Sequence, residues 1–288
     1  MNLRSGLAES LPYSLSRWTD VPAAKWPWFL DRMKAGYMEG FDPRTAIPAY
    51  WSLKPEDTLG LIFWTKNPEN LIEYADLLRP YNLRVHVTIT GWKEEEPGVP
   101  RWVDTATMAR RLGVLFGWDR ITWRFSPVPI GLDRHDLLTR FDHIAWFMSP
   151  FQSVPGGGIK NVFLSFLQPN DRIGEDRGLA ERVSLMREMA TIAARWGMNV
   201  RLCNEDRTLL GVDGLPANLS PGVCAPPEDF SLPGIAKPPS EGCGCTLAVE
   251  AFTINESCAY GCRYCYAADE TLSGRKRNTT KGHLPVVR

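Results

Sequence analysis

Between Leu83 and Thr90 apolar and polar side chains alternate without a break: Leu83, Val85, Val87 and Ile89 share one face of an extended chain, Arg84, His86, Thr88 and Thr90 the other. That pattern predicts a strand with one apolar and one polar face. It returns at 120–126, where Ile121, Trp123 and Phe125 oppose Thr122, Arg124 and Ser126, and at 199–205, where Val200 and Leu202 oppose Arg201, Cys203 and Glu205. Residues 58–66 and 161–167 read as further strands, and 246–254 as a last one. Between them the spacing predicts helices over 69–78, 103–115, 136–148 and 179–196, after an earlier one from Val21 to about Gly36. The helix ends carry their own signals. Asp20 before Val21-Pro22, and Asn67-Pro68, pair a capping side chain with a first-turn proline, and Gly197 closes the longest helix.

Strands alternating with helices imply parallel βαβ units. A row of polar side chains on several strands needs water or a ligand beside it. The expectation is therefore an α/β chain folded as a partial, open TIM-like (β/α)6 barrel over residues 1–208, with its site at the carboxyl ends of the strands. The glycine-rich stretch 155–158 reads as a flexible link. Residues 209–288 read as a cysteine-rich C-terminal segment, whose proline-rich first part, 209–241, lacks regular periodicity and needs some other source of order.

Charge narrows the field of partners. The 288 residues hold 33 Lys and Arg against 33 Asp and Glu, so no overall field draws the chain to nucleic acid or a lipid surface. The basic stretch from Arg275 to Arg288 reads as a solvated terminus, with a phosphate-contacting arm, and hence nucleic acid, as the alternative. No run approaches the roughly 20 apolar residues of a membrane span, and none near Met1 suits a signal peptide, so a cytoplasmic protein with no membrane partner is expected.

Seven cysteines, an odd number, favour metal over disulfides in such a chain. Cys258, Cys262 and Cys265 stand at C-x3-C-x2-C spacing, which puts three thiolates on one tight loop around a cuboidal iron–sulfur cluster with one iron left open. Cys203, Cys224, Cys243 and Cys245 make a set of four able to hold a second [4Fe-4S] cluster or a zinc ion, the alternative being scattered buried thiols. Zinc is also the alternative for the loop.

With Tyr264 just before the last loop cysteine, the sequence resembles the radical S-adenosylmethionine (SAM) enzymes. The loop's late position and the segments Ser16 to Pro22, Phe63 to Pro68, Thr88 to Gly91, Trp123 to Pro127, Cys203 to Glu205 and Cys243 to Cys245 are similar to domain-of-unknown-function family 1848. Arg17 and Asp20 match the first of those motifs. The resemblance implies reductive cleavage of SAM at a [4Fe-4S] cluster to a 5′-deoxyadenosyl radical in an oxygen-sensitive enzyme. It also implies an electron donor such as flavodoxin or ferredoxin, and a small-molecule or peptide substrate. Tyr264 would pack near the adenine. Lys66 and Arg124 suit the SAM carboxylate, Thr88, Thr90 and Ser126 its hydroxyls, and Glu205 either a paired arginine or a positive or hydroxylic group of the ligand. Strand-end polar residues also cap helices, which is the plain structural alternative for each. His86 is expected to line the site, and His135, His143 and His283 to lie on the surface. Two other classes remain open at this point: cluster-dependent polar transfer of a methyl or aminocarboxypropyl group, and a non-enzymatic metal-binding interaction protein.

Overall fold

In the computed structural model the described residues are 3–4, 11–16, 19–42, 45, 48–128, 132–149, 157–166, 178–203, 209, 211, 213–232, 244–251, 258 and 260–265. The basic stretch 275–288, Arg17, Glu205, Cys243, His283 and residues 155–156 of the glycine link lie outside them.

In chain order the elements are β1 (Leu3–Arg4), β2 (Tyr13–Ser14), α1 (Val21–Ala24), α2 (Trp26–Ala35), β3 (Tyr37–Phe41), β4 (Pro48–Ser52), β5 (Leu61–Thr65), α3 (Glu69–Glu73) and α4 (Ala75–Leu78). There follow β6 (Leu83–Thr88), α5 (Trp102–Phe116), β7 (Ile121–Val128), α6 (Arg134–Met148), β8 (Asn161–Phe166), α7 (Leu179–Arg195), β9 (Asn199–Leu202), β10 (Leu219–Pro221) and β11 (Val249–Ala251). The single helix predicted from Val21 is two, because Pro27 has no N–H with which to continue the ladder of α1. Gly36, at φ 74°, closes the second.

The strands form one open mixed sheet of order β1-β4-β3-β11-β2-β5-β6-β7-β8-β9-β10. From β2 to β10 every neighbour is parallel, whereas β3 runs antiparallel to both β4 and β11. This corrects the expected (β/α)6 partial barrel: the sheet is wider, mixed, and ends in two edges, β1 and β10. β11 enters between β2 and β3, and a Cβ on Gly40 would stand 2.7 Å from the Glu250 carbonyl oxygen, so only glycine admits the strand there.

The period-two reading accounts for both faces. Leu83, Val85, Val87, Ile121, Trp123 and Phe125 are buried with the helices in the main core. On the opposite face a second, smaller core joins Ile62 to Ala225, Phe230 and Cys245, with Trp64 and Val223 packed against it. The polar row is thus roofed by the irregular segment around 222–232 and 244–248 and does not face an open barrel lumen. That roof is the physical reason the alternation does not signify a barrel: polar side chains find their partners in a chain segment without periodicity.

Candidate functional site

At the carboxyl end of β5, Asp20 ties three elements together. Its Oδ1 accepts from the amide of Ala23 (3.2 Å) and the Thr65 hydroxyl (2.8 Å), and its Oδ2 from the Lys66 amide (2.7 Å). Burial pushes the carboxyl up to about 6, and those hydrogen bonds hold it back from rising further.

Lys66 carries the next layer. Its ammonium donates to Glu96 Oε1 at 2.7 Å and lies 5.7 Å from the centre of the Tyr264 ring. The Tyr264 hydroxyl donates to the same Glu96 oxygen, and its ring stacks on Trp92 at 5.6 Å and 13°. Glu96 is 3% exposed, so this carboxylate is sequestered between an ammonium and a phenol. Burial, then the Glu96 charge, raises the Tyr264 hydroxyl well above the ordinary tyrosine range.

The cysteine loop sits on the loop that follows β6 through a backbone seam. Gly98 N donates to Tyr260 O (3.0 Å), Arg263 N to Glu95 O (2.9 Å), and Arg263 pairs with Glu95 at 3.7 Å. A Cβ on Gly98 would lie 2.8 Å from both the Cα and the carbonyl oxygen of Tyr260. Gly98→Ala is therefore expected to part the seam. Alkylation of Cys258, Cys262 and Cys265 in the native protein should then be faster than in wild type, and equal rates would show that the seam tolerates the methyl group. Beside the seam is a cavity of about 210 Å³ lined by Thr88, Thr90, Trp92, Glu96, Trp102 and Thr105 among others. Thr90 is fully buried and accepts from the Trp92 amide at 3.2 Å.

On the roofed face Arg124 Nη1 donates to Cys224 Sγ at 3.1 Å, and the guanidinium lies 5.5 Å from the centre of the Phe163 ring. No carboxylate pairs with Arg124 among the described residues. Ser126 is hydrogen-bonded to Ser165 across β7 and β8. Arg201 bonds Ser220 and, at 3.4 Å, Asn161 Oδ1. His86 is buried against Trp64, stacked at 5.5 Å and 10°, and its Nε2 donates to Cys224 O at 2.8 Å. His135 and His143 are exposed, as expected.

The predicted metal chemistry is corrected. Among the described residues no group of three or more His, Cys, Asp or Glu could hold a metal ion. The Arg124 guanidinium bonds the Cys224 sulfur, putting positive charge where a cation would sit. The [4Fe-4S] cluster on Cys258, Cys262 and Cys265, the second cluster or zinc on Cys203, Cys224, Cys243 and Cys245, and SAM as cofactor are therefore withdrawn. The radical SAM enzyme goes with them, as do the polar-transfer and metal-protein alternatives that used the same cysteines.

A family model described as a domain of unknown function, DUF1848, matches residues 13–267. The chain belongs to the DUF1848 family. That membership carries no radical SAM assignment and no activity with it. No curated protein matches, and no solved structure matches. Among the described residues no helix is long and apolar enough to cross a membrane.

The structure thus brings Lys66 and Tyr264 together, places Thr88 and Thr90 on the adjoining cavity, and sets Arg124 and Ser126 deeper on the roofed face. Sequence reading misses Glu96, Trp92 and Gly98. Glu96 stands in the run Lys93-Glu94-Glu95-Glu96, which reads as solvated charge, and only the proline and glycine after it hint that the run turns back on itself.

Proposed function

We propose that the protein binds a small anionic molecule at the carboxyl ends of β5, β6 and β7, the anion seated over Thr88 between Lys66 and Arg124. The observation that carries this reading is a row across three adjacent parallel strands. Thr88 is level with Arg124, and Lys66 directly follows Thr65, which is level with Val87. By strand alternation all three belong to the face that carries Trp64, His86 and Thr122. A hydroxyl between a guanidinium and an ammonium, the latter already paired with Glu96, is a seat for a carboxylate or phosphate, and open α/β sheets take their ligands beyond the carboxyl ends of their strands. Arg124, with no carboxylate partner among the described residues, has the charge to spare for a ligand. The cavity beside Thr88 and Thr90 leaves room for the rest of a small molecule or a peptide end. Six described cysteines are free thiols, in keeping with a cytoplasmic setting.

Calorimetric titration with a panel of small carboxylates, phosphates and, as controls, amines tests the reading. At least one anion should bind. Arg124→Met should weaken that anion by about tenfold or more, the size expected for a lost charge-assisted hydrogen bond, while His135→Ala should leave it unchanged. If no anion binds, or if the arginine variant binds as well as wild type, the reading fails.

A further inference from the structure

The apolar wall of the cavity at the end of β6 is made by Ile89, Trp92, Val99, Pro100, Trp102 and Val103. The other side chains around it are already committed within the protein. The Thr90 hydroxyl accepts from the Trp92 amide, the Thr105 hydroxyl donates to Lys66 O at 3.1 Å, and Lys93 Nζ donates to Pro97 O at 2.7 Å and Val99 O at 3.2 Å. Arg101 makes two hydrogen bonds to Asp104, and the Glu96 carboxylate is held by Lys66 and Tyr264. A charged or strongly hydrated group entering here would give up water and gain no partner in exchange. An apolar group would give up nothing.

The two indoles are braced from outside the cavity, which favours a flat occupant. Trp92 is stacked on Tyr264 at 5.6 Å and 13°, and Trp102 meets Phe147 edge-on at 6.0 Å and 89°. Walls held in this way need little ordering when a ligand arrives, and indole rings pair well with a further aromatic ring, stacked with an offset or edge to face. Size agrees. An apolar cavity of about 150 Å³ takes up benzene, so one of about 210 Å³ has room for a ring and a short substituent. Thr88 belongs both to this wall and to the row that holds Lys66 and Arg124.

We propose that the cavity is a subsite for one uncharged aromatic ring, so that the ligand is an aryl carboxylate or phosphate whose acid group and ring are joined by a short spacer across Thr88. The acid half of this assignment rests on the anion seat proposed above, and the ring half on the cavity alone.

Calorimetric titration with acetate, phenylacetate, benzyl alcohol and the para-aminomethyl derivative of phenylacetate separates the two halves. Phenylacetate should bind at least about tenfold more tightly than acetate, a gain well within that of burying a ring, and the aminomethyl derivative should lose that gain. Trp102→Ala should remove it too, as should Val99→Phe, which puts a ring of the protein's own into the cavity; a cooperative thermal transition in each variant shows that the loss is local. Equal binding of acetate and phenylacetate, or an aminomethyl derivative that binds as tightly as phenylacetate, would overturn the ring subsite and leave the anion seat standing. Benzyl alcohol binding as tightly as phenylacetate, and weakened in both variants, would uphold the subsite and refute the anion seat. No binding by any of the four would overturn both.

Discussion

Between pH 6.5 and about 3 the wild-type protein should lose stability that a His86→Phe variant keeps. Burial first, then the Arg124 charge, brings the folded-state pKa of His86 down from 6.5 to about 3. The unfolded chain takes up the proton near 6.5 and the folded chain refuses it until near 3. The full stability is therefore present above 6.5 and drains away as the pH falls. At about 1.36 kcal/mol per pKa unit the loss reaches on the order of 5 kcal/mol at most. Phenylalanine preserves the stack on Trp64 but leaves the Cys224 carbonyl without its donor, so the variant should start about 1–3 kcal/mol lower at pH 7. Urea denaturation at pH 7, 5 and 4 checks this: the gap between the two proteins should close with acid. Parallel curves would mean that His86 does not set the acid limit.

Removing the Glu96 carboxylate should cost about 3–5 kcal/mol, because Lys66, with a side chain 15% exposed, is left charged without its ion-pair partner. Tyr264 loses its acceptor in the same change, so the damage should extend to the cysteine loop. Glu96→Ala is expected to lower the thermal midpoint sharply and to make the 260–265 loop susceptible to proteolysis. Pairing it with Lys66→Met should recover part of the loss, since the second change removes the stranded ammonium. Additive losses in the double variant would show that the two side chains are not coupled.

How far the sequence is legible depends on what sets each element. Helix ends are written locally, in Asp20 and in Gly36 with its positive φ, and the alternations of β6 and β7 name both faces of those strands from residue order alone. The β3–β4 hairpin gives no such sign: Gly40 and Pro48 interrupt its period, and the burial of Met38 and Trp51 comes from the main core. The strand predicted over 246–254 is β11, three residues long, whereas β10, also three residues, is too short to show periodicity and exists because β9 offers an edge. The site divides in the same way. Lys66, Thr88 and Arg124 can be found because strand ends are visible in a pattern. Of three consecutive glutamates only Glu96 is buried, and nothing local distinguishes it from Glu94 or Glu95. The cysteine spacing points to metal ligation, whereas among the described residues no group forms that could hold a metal ion, and a guanidinium lies on Cys224.

The seat of β11 has a consequence for how the chain is made. Among the described residues β1, β4 and β3 join the rest of the sheet only through this strand, which pairs with β3 on one side and β2 on the other. Until Val249–Ala251 has left the ribosome, β2 and β3 both present unpaired backbone edges, which invite pairing with other chains. Nascent polypeptides of this protein should therefore depend on chaperones until late in translation, and truncations ending before Val249 should accumulate as aggregates.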